Sequence, residues 1–244
     1  MHETRHVQHP ITSGYISIIA DDHQLPAFWA HPQVRDEFPA LVLIHESWGL
    51  TPHIRACVRR LAETGFYVIA PDLYDGQIAT TAEEAAALAA QLGEAGVPRI
   101  GAALGVLEHH IHSNGKVGVV GWQMGGEIAF HMTIYRPDIR AAVIFYARPD
   151  QYLTMMRAEE TPMLCLYGDS DPDIPMERLE QMRSMLAASP GKGEVVIYPQ
   201  TSTGFFNETL PAYNAERATD AWNRMLEFLI KYLEPPRRTK LDAM

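Results

Sequence analysis

Four polar side chains follow short apolar runs of the sequence, at positions where they could take part in acid–base or hydrogen-bond chemistry. They are Glu46, Gln123, Asp171 and Thr203. In an open, mostly parallel sheet, ligands bind outside the carboxyl ends of the strands, so residues that follow strands are expected to converge there. A carboxylate in such a place can act as a general acid or base, and a glutamine amide both donates and accepts hydrogen bonds. The sequence therefore predicts a small-molecule site built from these four residues.

The residues around Gln123 have the glycine spacing of a sharp strand-to-helix turn. Gly121 and Gly125 lie two residues before and two residues after Gln123, and Gly126 follows directly. This is the frame of the nucleophile elbow, in which the central residue takes a positive φ and normally carries a nucleophile. An amide does not attack a carbonyl carbon. We therefore predict the geometry of the elbow without its nucleophile.

The acid and the base of a nucleophile–acid–histidine triad are expected in later loops. Asp171 is the best candidate for the acid, with Asp169 and Asp173 as near competitors in the same loop. The base is expected in the loop 198–207, which contains no histidine. Thr203 stands at the expected position, and a threonine hydroxyl has no proton affinity useful for a general base.

Two cysteines and two serines are alternative nucleophiles. Cys165 lies in a predicted buried strand and Cys57 in a predicted helix, and a thiol in apolar surroundings is usually inert. Ser47 and Ser202 lie in strand-end loops but have no evident histidine partner. We expect none of the four to replace the missing nucleophile.

Six residues of these loops are candidates for the wall of a ligand pocket: Ser47, Trp48, Trp122, Met124, Arg148 and Phe205. Packing in the core is the alternative role for the two tryptophans, because large aromatic side chains dominate protein cores. Arg148 follows a predicted strand, and it is either an anchor for an anionic ligand or an ordinary surface arginine.

An alternation of short apolar runs with longer helical stretches predicts an α/β fold. The predicted strands are 15–20, 26–30, 40–45, 66–70, 116–120, 141–146, 163–167 and 195–198, and the predicted helices are 51–65, 81–92, 99–112, 125–135, 175–188 and 211–233. The last six strands are continuous apolar runs, which are typical of parallel strands covered on both faces. The first two flank a turn-rich segment and predict an antiparallel hairpin.

Several segments in the correct order resemble the dienelactone hydrolase family of α/β-hydrolase-fold proteins, from about Gly14 to Leu233. They read "LVLIHESWGL", "GFYVIAPDLYDGQ", "VGVVGWQMGG", "AAVIFYARP", "LYGDSDPDIP" and "IYPQTSTGFFN". The resemblance implies an eight-stranded sheet and a site with a cysteine nucleophile, an aspartate, a histidine and a glutamate.

Carried over onto this chain, the resemblance matches the glutamate to Glu46 and the aspartate to Asp171, while Gln123 replaces the cysteine and Thr203 the histidine. The arginines that hold the dienelactone carboxylate in the family are missing from "DLYDGQ" and "GFFNE". Dienelactone itself is therefore not an expected substrate.

Composition excludes several classes of partner. The chain has 244 residues and a net charge of −10, whereas nucleic-acid binding needs a clustered basic face. No apolar run is long enough to span a membrane, and the polar first residues lack the apolar centre of a secretory signal. We expect a cytoplasmic protein with an arm over 1–13, one domain over 14–234 and a loose tail over 235–244. A homodimer is left open.

No cofactor and no metal are predicted. His109, His110 and His112 cluster at a predicted helix end, where the helix dipole favours such side chains, and no complementary acid or cysteine spacing accompanies them.

Three functions are compatible with this site. The first, which we favour, is binding of a small carbonyl, lactone or carboxylate compound without triad hydrolysis, either with no chemistry at all or with proton transfer in which Glu46 is the acid or base. The second is an ester or lactone hydrolase with a rearranged site. The third is a non-catalytic interaction protein, since a fold does not determine a function.

Overall fold

The computed structural model describes residues 8–20, 23–34, 36–110, 113–156, 160–191 and 193–234. Eight strands form one sheet in the order β1-β2-β4-β3-β5-β6-β7-β8. They are β1 (Ile11–Ala20), β2 (His23–Pro32), β3 (Phe38–Ile44), β4 (Tyr67–Pro71), β5 (Ser113–Trp122), β6 (Ile139–Phe145), β7 (Met163–Gly168) and β8 (Glu194–Tyr198). β1 and β2 form an antiparallel hairpin, β2 pairs antiparallel with β4, and the strands from β4 to β8 pair in parallel. The predicted fold is confirmed.

Seven α-helices are present in the described part of the chain. They are α1 (Pro52–Glu63), α2 (Ala82–Leu92), α3 (Gly96–Glu108), α4 (Met124–Tyr135), α5 (Leu153–Met156), α6 (Met176–Ala188) and α7 (Ala215–Leu233), and the 3₁₀ turn Gly93–Ala95 joins α2 to α3. Helices pack against most strands of the sheet, for example α1 on β2, α4 on β5 and β6, and α7 on β6.

The buried strands explain the apolar runs. All residues of β3, β4 and β7 are buried, because helices cover the middle of the sheet. In a sheet of this kind a strand needs apolar side chains on both of its faces. The carboxyl ends of these strands therefore project from a rigid, fully packed core.

Some predicted boundaries were wrong. β1 begins at Ile11, so the sheet starts inside the predicted arm. α3 begins at Gly96 rather than 99, since Pro98 falls in the first turn, where its missing N–H is tolerated. α7 begins at Ala215 rather than 211, because the Asn214 side chain caps it by accepting from Arg217 N. The short α5 and the 3₁₀ turn were not predicted, and the predicted tail lies outside the described residues.

Two further findings concern the whole described chain. None of its helices is long and apolar enough to cross a membrane. Among the described residues there is also no cluster of three or more histidine, cysteine, aspartate or glutamate side chains that could hold a metal ion. Of the three clustered histidines, His112 lies outside the described residues.

Candidate functional site

One cavity of about 1190 Å³ lies at the carboxyl edge of the sheet. Glu46 reaches it from the loop after β3, Gln123 from the turn between β5 and α4, and Thr203 from the loop after β8. Tyr146, which directly follows β6, also lines it. The strand-end loops thus bring together three of the four predicted site residues. The fourth, Asp171, does not line the cavity itself but accepts a hydrogen bond from Thr203, which does.

The turn at Gln123 has the backbone of a nucleophile elbow. Gln123 has φ 50° and ψ −115°, a conformation that non-glycine residues rarely adopt. A Cβ atom on Gly121 would lie 2.2 Å from the carbonyl oxygen of Gly125, and a Cβ on Gly125 would lie 2.2 Å from that of Ile44. The glycine frame is therefore required by the close approach of three backbone segments.

The side chain of Gln123 is held by Ser47. Its Oε1 accepts a hydrogen bond from Ser47 Oγ at 2.7 Å and a longer one from Ser47 N at 3.4 Å. A backbone N–H at this place is the kind of donor that stabilises an oxyanion. The amide carbonyl of Gln123 thus accepts from the Ser47 hydroxyl and the Ser47 N–H, two donors that are then not free for a carbonyl oxygen of a ligand.

Asp171 and Thr203 form the pair predicted for the acid and base positions. Asp171 Oδ2 accepts hydrogen bonds from Thr203 N at 2.8 Å and from the Thr203 hydroxyl. Its Oδ1 accepts from Asp173 N at 2.9 Å. Both oxygens of the carboxylate thus accept hydrogen bonds from these loops, and the threonine beside it is a group that takes no proton.

Glu46 is the one carboxylate sealed inside the site, with 1% of its surface exposed. Its Oε1 accepts a hydrogen bond from Asn207 Nδ2 at 2.5 Å, whereas its Oε2 is buried without a hydrogen-bond partner. Burial raises the pKa of Glu46 to about 7, against the lowering effect of its contacts with Asn207 and Tyr146. Glu46 therefore exchanges a proton near neutral pH.

Tyr146 is the second buried group without a hydrogen-bond partner in the site. Its hydroxyl lies close enough to Glu46 to affect the pKa of that carboxyl, but it makes no hydrogen bond of good geometry. Burial and the nearby Glu46 raise the pKa of Tyr146 well above its usual value, so the hydroxyl stays a donor. Its φ of 39° is also positive, and such strain is found where structure positions a functional group.

Sequence reasoning missed Tyr146 and Asn207. Tyr146 is the last residue of a predicted strand, and this position at a strand end is the signal that indicates it. Asn207 ends the family-like segment "IYPQTSTGFFN", but nothing in the sequence indicates that it reaches Glu46.

A buried histidine fixes the backbone of Glu46. His45 Nδ1 lies 2.8 Å from the carbonyl oxygen of Glu46, and His45 Nε2 lies 3.1 Å from Leu73 N. Because the Leu73 N–H can only donate, Nε2 is the acceptor and Nδ1 carries the proton. Burial lowers the pKa of His45 and keeps this neutral form, so its role is to position Glu46.

Four of the six predicted wall residues line the cavity: Ser47, Trp48, Met124 and Arg148. Phe205 does not line the cavity as predicted, and Trp122 takes the alternative role of packing in the core, since both are fully buried there. Trp122 stacks on Phe145 with ring centroids 5.3 Å apart, and Phe205 packs edge-on against Tyr146 at 5.8 Å. Neither side chain lines the cavity, because each packs against aromatic side chains of the core beneath the strand ends.

Arg148, the candidate anchor for an anionic ligand, is paired with a carboxylate of the protein. Arg148 Nε lies 2.9 Å from Oε1 of Glu127, which also lines the cavity, and the arginine side chain is 66% exposed. Its charge is therefore neutralised by a neighbour.

The two cysteines are unsuitable as nucleophiles. Cys57 and Cys165 are buried and unpaired in any disulfide, and neither lines the cavity. Burial raises the pKa of Cys57 to about 12 and that of Cys165 further, so both remain thiols at neutral pH.

The family profile that matches this chain is that of the dienelactone hydrolase family, over residues 25–233. The chain belongs to the dienelactone hydrolase family. A relative from Escherichia coli K12 named "Putative carboxymethylenebutenolidase" is 31% identical over 238 residues, covering 91% of this chain and 88% of the relative.

Solved structures of the dienelactone hydrolase family have the same fold. A "Putative Dienelactone Hydrolase" from Klebsiella pneumoniae has a TM-score of 0.82 and 27% identity, covering 91% of this chain and 100% of that one. The dienelactone hydrolase from Anabaena variabilis has a TM-score of 0.70 and 21% identity, covering 92% and 100%. The resemblance noted in the sequence motifs is confirmed.

Proposed function

We propose that this member of the dienelactone hydrolase family binds a small neutral carbonyl compound, and that Glu46 moves protons on it without nucleophilic attack from the elbow. One observation carries the proposal. Glu46 Oε2 and the Tyr146 hydroxyl are buried, make no hydrogen bond of good geometry with each other or with another group, and belong to residues that line the same cavity. Buried polar atoms are rarely left without a partner. A ligand with a carbonyl oxygen would accept from the Tyr146 hydroxyl, and a proton on the neighbouring carbon would face Glu46 Oε2.

The two groups suit proton abstraction next to a carbonyl. Glu46 Oε2 would take a proton from the carbon beside the carbonyl, and the electron pair of that C–H bond would move onto the carbonyl oxygen. The Tyr146 hydroxyl would donate to the oxygen as its negative charge develops. Ser47 N would be a second donor once the Gln123 side chain has turned away. Return of the proton to a carbon atom completes the cycle and regenerates the carboxylate.

The charges around the cavity favour a neutral ligand. Four carboxylates line it, those of Glu46, Glu94, Glu127 and Asp173. Among its described lining residues, Arg148 alone is a lysine or arginine, and Glu127 already pairs with it. An anion would meet uncompensated negative charge. We therefore favour a ketone, ester or lactone over a carboxylate.

Hydrolysis of an ester or lactone by a water that Glu46 activates is a second candidate. It is favoured by the pKa of Glu46 near 7, which suits a general base at neutral pH, and by membership of a hydrolase family.

Turnover of short-chain aryl esters and lactones separates the two candidates. An oxyanion site without a triad still gives about 10³–10⁴-fold acceleration over water. We expect rates at or below that level, with Glu46→Gln and Gln123→Ala no slower than the wild type. A rate far above it that collapses in Glu46→Gln would establish the hydrolase and overturn our proposal.

A further inference from the structure

The cavity continues beyond the elbow along one face of α4. Met124, Glu127, Ile128 and His131 line it, and this spacing places the four side chains on a single helix face. From Met124 to His131 the helix rises about 10 Å. The site thus extends as a trough from the buried Glu46 along α4.

A second helix contributes only alanines to the lining of the trough. Five residues of α2 line it, all of them alanine: Ala82, Ala85, Ala86, Ala89 and Ala90. Helix propensity explains why alanine is acceptable in α2. It does not explain the arrangement, because the α2 residues that do not line the trough include Glu83, Glu84, Leu88 and Gln91. Side chains of that size on the inner face would fill the trough.

The beginning of α3 continues this apolar wall. Val97 and Pro98 line the trough beside Ile128 of α4. The lining also includes two carboxylates, those of Glu94 and of Glu127, and Glu127 is paired with Arg148. A trough with apolar walls accommodates a hydrocarbon chain with little specificity for polar groups along it.

Two independent features thus meet in one cavity, an apolar trough and a buried polar end without partners. We infer that the ligand is amphipathic: its carbonyl lies against Glu46 and Tyr146, and an unbranched aliphatic tail lies between α2 and α4. The inference rests on the proposed function, since the same carbonyl group anchors both. A tail of about 10 Å reaches the end of the α4 face at His131.

Binding of methyl ketones from butanone to decanone to the purified protein, measured by calorimetry, tests the tail. Each added methylene strengthens binding by about two- to fourfold when it is buried on an apolar wall. In Ala89→Phe the phenyl ring should obstruct the trough, so the gain with chain length disappears while butanone binds as before. Ala87→Phe is the matched control, because Ala87 is an exposed α2 residue that does not line the cavity. It should behave as the wild type.

The outcomes separate this inference from the proposed function. Butanone binding that weakens in Tyr146→Phe, without any dependence on chain length, overturns the tail and leaves the proposed carbonyl site intact. A chain-length dependence that survives in Ala89→Phe also overturns the tail, because the chain would then lie elsewhere. If no ketone binds, both proposals fail.

Discussion

The side-chain carbonyl of Gln123 accepts hydrogen bonds from both the hydroxyl and the backbone N–H of Ser47. Ser47 follows Glu46 directly, so the residue at the elbow is tied to the loop that carries the buried carboxylate. The elbow residue therefore serves as an acceptor for donors at the edge of the cavity. A ligand carbonyl that uses the same donors must displace it.

Removal of this internal acceptor should strengthen ligand binding. In Gln123→Ala the Ser47 donors are available, and since a hydrogen bond contributes about 0.5–1.5 kcal/mol net, we expect the affinity for a small ketone to rise by about two- to tenfold. Calorimetric titration measures it. Gln200→Ala is the control, because Gln200 also has a positive φ, of 60°, but lies outside the cavity. An unchanged or weaker affinity in Gln123→Ala would contradict the competition.

A cysteine at the elbow should by itself give little hydrolysis. In Gln123→Cys the thiol has no base, whereas in Gln123→Cys with Thr203→His an imidazole can lie beside Asp171, the present partner of Thr203. Triad residues act as a unit, so their effects are strongly non-additive. We expect aryl ester hydrolysis by the double variant to exceed that of either single variant by at least about tenfold. Equal rates in the single and double variants would show that other features are missing.

The sequence predicted the elbow and the Asp171–Thr203 pair because both depend on local patterns. The glycine spacing around Gln123 reflects contacts between neighbouring backbones, and chain order places the acid and base positions in successive loops. The roles of Trp122 and Asn207 could not be read in this way. Each role depends on the direction of a side chain at the end of a segment. That direction decides whether the side chain enters the core or reaches the site, and no sequence periodicity specifies it.

Tyr146 should contribute to binding and not to stability. Its hydroxyl is buried without a partner, so Tyr146→Phe should leave the free energy of unfolding unchanged or raise it by about 1 kcal/mol, while ketone affinity falls. Tyr167→Phe is the control, because that buried hydroxyl donates to Ala147 O at 2.6 Å. It should lose about 1–3 kcal/mol and keep its affinity. Denaturant unfolding and calorimetry together measure both effects. A Tyr146→Phe variant that is destabilised with full affinity would show a structural role.

The glycine frame should tolerate no side chain. Gly125→Ala places a Cβ 2.2 Å from the Ile44 carbonyl oxygen, so the strand end and the helix must separate. We expect a loss of at least about 3 kcal/mol in unfolding free energy. Gly101→Ala is the control, because its Cβ would meet nothing within 4 Å inside α3, and it should gain about 0.5–1 kcal/mol. Similar stability of the two variants would disprove the close approach.

In the proposed function the Glu46 carboxylate, and not the elbow residue, carries the chemistry. The most direct test is exchange of deuterium from D₂O into the carbon beside the carbonyl of a bound ketone, followed by NMR across pH. Because burial raises the pKa of Glu46 to about 7, the base is protonated below that value, and exchange should rise with pH through about 7 and then level off. It should be lost in Glu46→Gln and persist in Gln123→Ala. Exchange that is unchanged in Glu46→Gln, or that has no inflection near neutral pH, would contradict the account.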